Sequence, residues 1–166
     1  MAEITFRGSP LQTVGDLPPV GRPAPAFTLT GGDLGAVTSE SLLGGRVVLN
    51  IFPSIDTPTC AQSVRTFNER AAGLADTTVV CVSADLPFAS GRFCGAEGIE
   101  NVTTGSTFRN SEFLDDYGVG IGGGPLAGLC ARAVVVIGAD GNVLHTEMVS
   151  EIADEPDYDS AIAALG

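Results

Sequence analysis

The stretch Arg46-Val47-Val48-Leu49-Asn50-Ile51-Phe52-Pro53-Ser54-Ile55-Asp56-Thr57-Pro58-Thr59-Cys60 decides the fold. Its first half is a nearly unbroken apolar, β-branched run, which reads as a strand buried on both faces. Its second half carries two prolines and short polar residues, which read as a loop. From Cys60 to Leu74 the apolar residues Ala61, Val64, Phe67, Ala71 and Leu74 fall close to helical spacing. The unit is therefore strand, loop, helix.

Downstream of this unit, Thr77–Ala84 reads as a second β-branched strand and Pro87–Gly98 as a weak helix containing Gly91 and Gly95. Ser111–Tyr117 reads as a helix. Arg132–Ile137 and Asn142–Val149 read as strands joined across Ala139-Asp140-Gly141, and Pro156–Leu165 as a closing helix. Upstream, Ile4–Phe6 and Leu11–Val14 flank Gly8-Ser9-Pro10 and predict an N-terminal β-hairpin. An extended proline-rich connection, Leu17–Pro25, and a short strand, Ala26–Thr30, follow. This order predicts an α/β sandwich with a mixed central sheet flanked by helices.

The 166 residues fit one domain, 1–166, and the 44% hydrophobic content supplies a normal core. The net charge of −12 excludes the basic footprint that nucleic-acid binding needs and opposes binding to anionic membranes. All eight basic residues are arginines, so Schiff-base chemistry and a phosphate-loop lysine are excluded. The N-terminal stretch lacks a charged segment followed by an apolar one, and no apolar run is long enough to span a bilayer. A cytoplasmic location is the expectation. There, cysteines are catalytic, redox-active or simply buried rather than a disulfide framework.

Cys60 is the first candidate for chemistry. It stands at the predicted start of a helix, with Thr59 as N-cap, where amide donors and the helix dipole favour a thiolate. Thr57, one turn earlier, can donate to a thiolate or accept from a bound hydroperoxide. The alternative is an inert buried thiol. Ionisation alone brings little: at pH 7 an unperturbed thiol is ~3% thiolate, so full ionisation gains about 30-fold, and lower nucleophilicity returns about tenfold. Breaking an O–O bond also needs a positioned donor. Arg132, at the start of an apolar strand, is the candidate; the alternative is a strand-edge arginine paired with a carboxylate.

Three further signals fail on context. Gly118-x-Gly120-x-x-Gly123 lacks the preceding strand and following helix of a dinucleotide site. His145, the sole histidine, is expected at the surface of an alternating strand, and Asp115-Asp116 as solvated helix charge.

The segments Asn50-Ile51-Phe52-Pro53-Ser54-Ile55-Asp56-Thr57-x-x-Cys60, Ser83-Ala84-Asp85-Leu86-Pro87-Phe88-Ala89, Arg92-Phe93-Cys94-Gly95-Ala96-Glu97-Gly98 and Ala131-Arg132-Ala133-Val134-Val135-Val136 resemble the bacterial thiol peroxidases. These are atypical two-cysteine peroxiredoxins with a thioredoxin-like fold. The resemblance implies Cys60 as peroxidatic cysteine and Cys94 of the same subunit as resolving cysteine. It also implies Pro53, Thr57 and Arg132 as the catalytic surroundings. It further implies hydroperoxide substrates, a thioredoxin-type reductant, a homodimer and no metal or organic cofactor. Thr59 departs from the usual aliphatic residue, and Cys130 stands where Ala or Leu is more usual. Cys130 reads as a small apolar substitute, with an accessory redox thiol as the alternative, and Cys81 as a buried strand thiol. The competing readings are a general thiol-disulfide oxidoreductase, against which no Cys-x-x-Cys is present, and a redox-sensing interaction protein.

Overall fold

The computed structural model describes residues 1–166. The apolar run at its centre forms strand β5 (Arg46–Ile51), paired on both edges inside a mixed sheet of seven strands. On one edge it runs parallel to β6 (Thr77–Ser83), which continues to β7 (Thr103–Ser106). On the other edge it runs antiparallel to β8 (Ala133–Ile137), followed by β9 (Val143–Met148). Short strands β3 (Thr28–Thr30) and β4 (Ala36–Thr38) close the β7 side, so the order is β4-β3-β7-β6-β5-β8-β9.

The period-two alternation of β5 explains why both faces must be covered. Val48 points to one face, where it packs with Phe67 of helix α1 (Pro58–Ala71) and Ala161 of helix α4 (Tyr158–Ala163). Leu49 and Ile51 share a cluster with Phe113 of helix α3 (Glu112–Asp116) and with Tyr117. Phe113 and Tyr117 stack with ring centroids 4.5 Å apart. Burying each such side chain is worth roughly 1.5–3 kcal/mol, so truncating the fully buried Phe67 to Ala costs about 3–5 kcal/mol with its cavity.

The second parallel crossover carries helix α2 (Pro87–Glu97), which Gly98 ends in the left-handed conformation at φ 65°. Most residues with a Cβ would take that conformation only at a steric cost that glycine does not have. The two crossovers place the start of α1 and the start of α2 at the same end of the sheet, beyond the carboxyl ends of β5 and β6. Open parallel sheets place their sites at that end.

Two local expectations are corrected, and two strands are added to the sequence reading. The N-terminal hairpin, β1 (Glu3–Phe6) with β2 (Ser9–Gln12), pairs Phe6 with Ser9 and therefore turns at Arg7-Gly8, not at Gly8-Ser9-Pro10. Both turn residues have positive φ, 52° and 82°, which matches the twist of a two-residue hairpin. Strands β4 and β7 had no apolar alternation to reveal them. In β7, Thr103-Thr104-Gly105-Ser106, a Cβ on Gly105 would lie 2.8 Å from Leu29 Cδ1, so close packing governs that residue. Finally, His145 is half-buried rather than at the surface, with Nε2 lacking a partner.

Candidate active site

Helix α1 begins at Pro58, with Thr57 as N-cap in extended conformation, Thr59 at the second helical position and Cys60 at the third. Thr59 is therefore not the cap. Pro fits the first helical position because its missing N–H has no partner to lose there. The Thr59 hydroxyl instead donates to the Ala153 carbonyl at 2.9 Å, tying the helix start to the segment after β9.

Cys60 is fully buried. Its carbonyl accepts from the Ser63 hydroxyl at 2.7 Å, and Ser63 accepts from the Asn50 side-chain amide at 3.2 Å. Asn50 and Ser63 are themselves fully buried, so a polar brace runs from β5 to the cysteine turn. The sequence offered one signal for it: an asparagine inside an apolar strand.

Arg132 arrives by register. Ala133 pairs with Ile51 across the antiparallel β5–β8 ladder, which sets Arg132 beside Phe52, where the chain leaves β5 for the Cys60 loop. The guanidinium is 1% exposed. Its Nη2 donates to Cys60 Sγ at 3.2 Å and its Nε to the Ile152 carbonyl at 2.8 Å, while Nη1 has no protein partner. None of the four ion pairs in the molecule involves Arg132. A buried cation without a carboxylate is costly unless another negative charge faces it. The sulfur at 3.2 Å supplies that charge when it is a thiolate, and Nη1 is left free to donate to a bound oxygen.

Pro53, Thr57 and Arg132 line one cleft of about 340 Å³, whose other walls include Phe6, Leu126, Leu129 and Ile152. Pro53 is buried. The Thr57 hydroxyl is exposed and donates to the Ser54 carbonyl at 3.0 Å, not to the sulfur. A larger open cleft of about 700 Å³ lies between the hairpin and Gly122–Gly124, but no cysteine or arginine lines it.

Cys94 sits on α2, half-buried, and burial pushes its thiol up. No disulfide joins any of the four cysteines. The far end of α2 is held to α1 by Arg65, which pairs with Glu97 at 2.6 Å and lies 5.6 Å from the Phe93 ring centroid. Cys81 and Cys130 are buried, and burial pushes both thiols up to about 12, which favours their neutral form.

The remaining signals lie outside this cleft. Asp115 and Asp116 are exposed. Gly118, at φ 66°, lies against the Asp16 backbone, where a Cβ would come within 2.2 Å of the Asp16 carbonyl oxygen. That glycine serves a chain crossing, not a phosphate loop. No group of three or more His, Cys, Asp or Glu is placed to hold a metal ion, and no helix is long and apolar enough to cross a membrane.

The family model described as Redoxin matches residues 19–162. The chain belongs to the redoxin family, among the thiol peroxidases. The thiol peroxidase of Mycobacterium tuberculosis (strain ATCC 25618 / H37Rv) is 66% identical over 166 residues, covering 100% of this chain and 99% of that protein. The thiol peroxidase of Corynebacterium glutamicum is 54% identical over 165 residues, with 99% of each covered. The crystal structure of a peroxiredoxin-like protein from Aquifex aeolicus superposes with a TM-score of 0.93 at 38% identity, covering 98% of this chain and 95% of that one. This thiol peroxidase is accordingly an enzyme of the peroxiredoxin type.

Proposed function

We propose that this thiol peroxidase reduces hydroperoxides through the Cys60 thiolate and re-forms its thiols through Cys94. The observation that carries the proposal is the buried Arg132 guanidinium, unpaired by any carboxylate, donating to Cys60 Sγ at 3.2 Å. The thiolate attacks one peroxide oxygen; an S–O bond forms, the O–O bond breaks, and the leaving alkoxide or hydroxide takes a proton. The free Nη1–H of Arg132 is available to hold the oxygen on which charge develops, the kind of preorganised donor that acts in the transition state. Pro53, which lines the same cleft as Arg132, takes the shielding role that the family resemblance gives it. Thr57 joins the site by turning its hydroxyl away from Ser54.

Cys60 is left as a sulfenic acid. The Cys94 thiolate attacks its sulfur, an S–S bond forms and water leaves. Exchange with an external dithiol of the thioredoxin type then restores both thiols and oxidises that partner. A disulfide requires Cα atoms roughly 4.4–6.8 Å apart, so in this scheme one of the two segments unwinds to bring Cys94 to the buried Cys60. Of the two, the α2 segment is the better candidate to unwind. It carries Gly91 and Gly95, each costing a helix about 1 kcal/mol relative to Ala. The family also supports a homodimer acting in the cytoplasm as an antioxidant enzyme, without metal or organic cofactor.

The test is peroxide-driven oxidation of a thioredoxin, followed as NADPH consumption through its reductase. The wild-type chain should turn over and Cys60→Ser should not, while its circular dichroism stays unchanged. Turnover surviving in Cys60→Ser above a few per cent removes Cys60 from the central role. Thioredoxin oxidation that needs no peroxide would instead support a thiol-disulfide oxidoreductase.

A further inference from the structure

Asp85 has no part in the scheme above, yet its side chain gathers three hydrogen bonds. One carboxylate oxygen accepts from the Ser54 hydroxyl at 2.8 Å. The other accepts from the Ile55 backbone N–H at 2.7 Å and from the Ser83 hydroxyl at 2.7 Å. The Asp85 carbonyl accepts from the Ser106 hydroxyl at 2.5 Å. No ion pair involves Asp85, so this half-buried carboxylate is matched by neutral donors alone.

The donors come from two places that the proposed chemistry must keep in register. Ser83 and Ser106 are the last residues of β6 and β7, and Asp85 lies shortly before Pro87, which opens the helix carrying Cys94. Ser54 and Ile55 lie in the loop between Pro53 and Thr57. The Ser54 carbonyl accepts from both the hydroxyl and the backbone N–H of Thr57, at 3.0 and 3.2 Å. Fixing Ser54 therefore fixes the N-cap of α1, three residues before Cys60. Ile55 is 3% exposed, so its N–H would be an orphan donor without the carboxylate.

We infer that Asp85 is a positioning residue for the peroxidase reaction: it locks the Pro53–Thr57 loop over Cys60 and anchors the root of α2 while the Cys94 end unwinds. The inference rests on the reading of Cys60 and Cys94 given above. A carboxylate suits the task because it presents two acceptor oxygens to three donors. An amide presents one oxygen, and its NH₂ would leave the Ser54 hydroxyl without its acceptor, so the carboxylate's hold on the loop weakens on that side. A shift of about 1 Å in a positioned group can cost on the order of 10²-fold in rate.

The experiment measures the pre-steady-state rate of Cys60 oxidation by hydrogen peroxide across pH, together with thermal unfolding, for wild type, Asp85→Asn, Ser54→Ala and the double variant. Asp85→Asn should be slower by about 10- to 100-fold with a displaced pH profile, and Ser54→Ala slower by a few-fold. The double variant should be no slower than Asp85→Asn alone, because both residues lie on one chain of bonds. A folded Asp85→Asn with the wild-type rate and pH profile overturns the inference, as does a loss that only tracks the unfolded fraction. If Asp85→Asn does not fold, Ser54→Ala decides: a wild-type rate and profile there overturns it equally. Wild type that fails to consume peroxide through Cys60 refutes the peroxidase reading and the inference together, whereas an active wild type with a silent Asp85→Asn refutes the inference alone.

Discussion

Replacing Arg132 with Met separates electrostatic catalysis from simple thiol ionisation. Met retains much of the length and apolar volume but removes the charge and every donor. Three atoms define what is lost: Nη2 to the Cys60 sulfur at 3.2 Å, Nε to the Ile152 carbonyl at 2.8 Å, and the unpartnered Nη1. Losing one preorganised transition-state donor costs on the order of 10²- to 10³-fold, or about 2.7–4 kcal/mol. Ionisation cannot produce that loss. For any cysteine at pH 7, going from full thiolate to an unperturbed thiol costs about 30-fold, and the higher nucleophilicity returns about tenfold. The stability effect should be small. Once the guanidinium is gone the Cys60 sulfur can take a proton, so no unpaired buried charge remains, while the Ile152 carbonyl loses a bond worth about 1–2 kcal/mol. The assay is stopped-flow oxidation of the reduced enzyme by hydrogen peroxide, with thermal unfolding on the same samples. The expected result is a rate constant lower by at least about 10²-fold with a nearly unchanged melting temperature. A rate within about fivefold of wild type would mean that ionisation accounts for the whole effect, and Arg132 would be a structural residue.

One equivalent of peroxide should yield an intrachain Cys60–Cys94 bond, read by peptide mapping; Cys60 bonded to Cys130 or to a second chain removes Cys94 from the resolving role. Amide exchange should be fastest over residues 88–98 and rise there on oxidation; protection equal to that of the central strands would contradict the unwinding of α2. Because burial raises the Cys94 pKa, its contribution to holding α2 folded is complete below the ordinary value of 9.0 and declines above it. Disulfide formation after a peroxide pulse should therefore accelerate as pH rises above 9.0, and a flat profile there would count against it. At the other extreme, Glu151 is held at about 2, below its ordinary 4.5, chiefly by the Ala153 and Gly8 N–H groups. A depressed carboxylate stabilises the fold fully above pH 4.5 and loses that effect as pH falls through about 2. The melting-temperature gap between wild type and Glu151→Gln should narrow over that window; a constant gap would show that the bonds do not depend on the charge.

The parts whose signal is local were legible along the chain. The apolar run Arg46–Ile51 could only be a doubly covered strand, and the spacing of Val64, Phe67 and Ala71 could only bury one helical face. Cys60 at a helix start, the breakable glycines of α2 and the unusual Arg132 were visible for the same reason. Where a strand had no apolar alternation, as in β7, or a turn depended on which residues could take positive φ, as at Arg7-Gly8, the chain gave little warning. Tertiary structure alone decided the distances. The antiparallel pairing of Ala133 with Ile51 brings Arg132 to a cysteine 72 positions away. The Asp85 carboxylate reaches Ser54 and Ile55 from a different crossover. Thr57 holds the N-cap position expected of Thr59, and the two hydroxyls bond the Ser54 and Ala153 carbonyls, because a hydroxyl chooses among the acceptors that packing brings within reach. Periodicity records which face of an element is buried; it carries no information on which polar groups from distant segments converge at the end of a sheet.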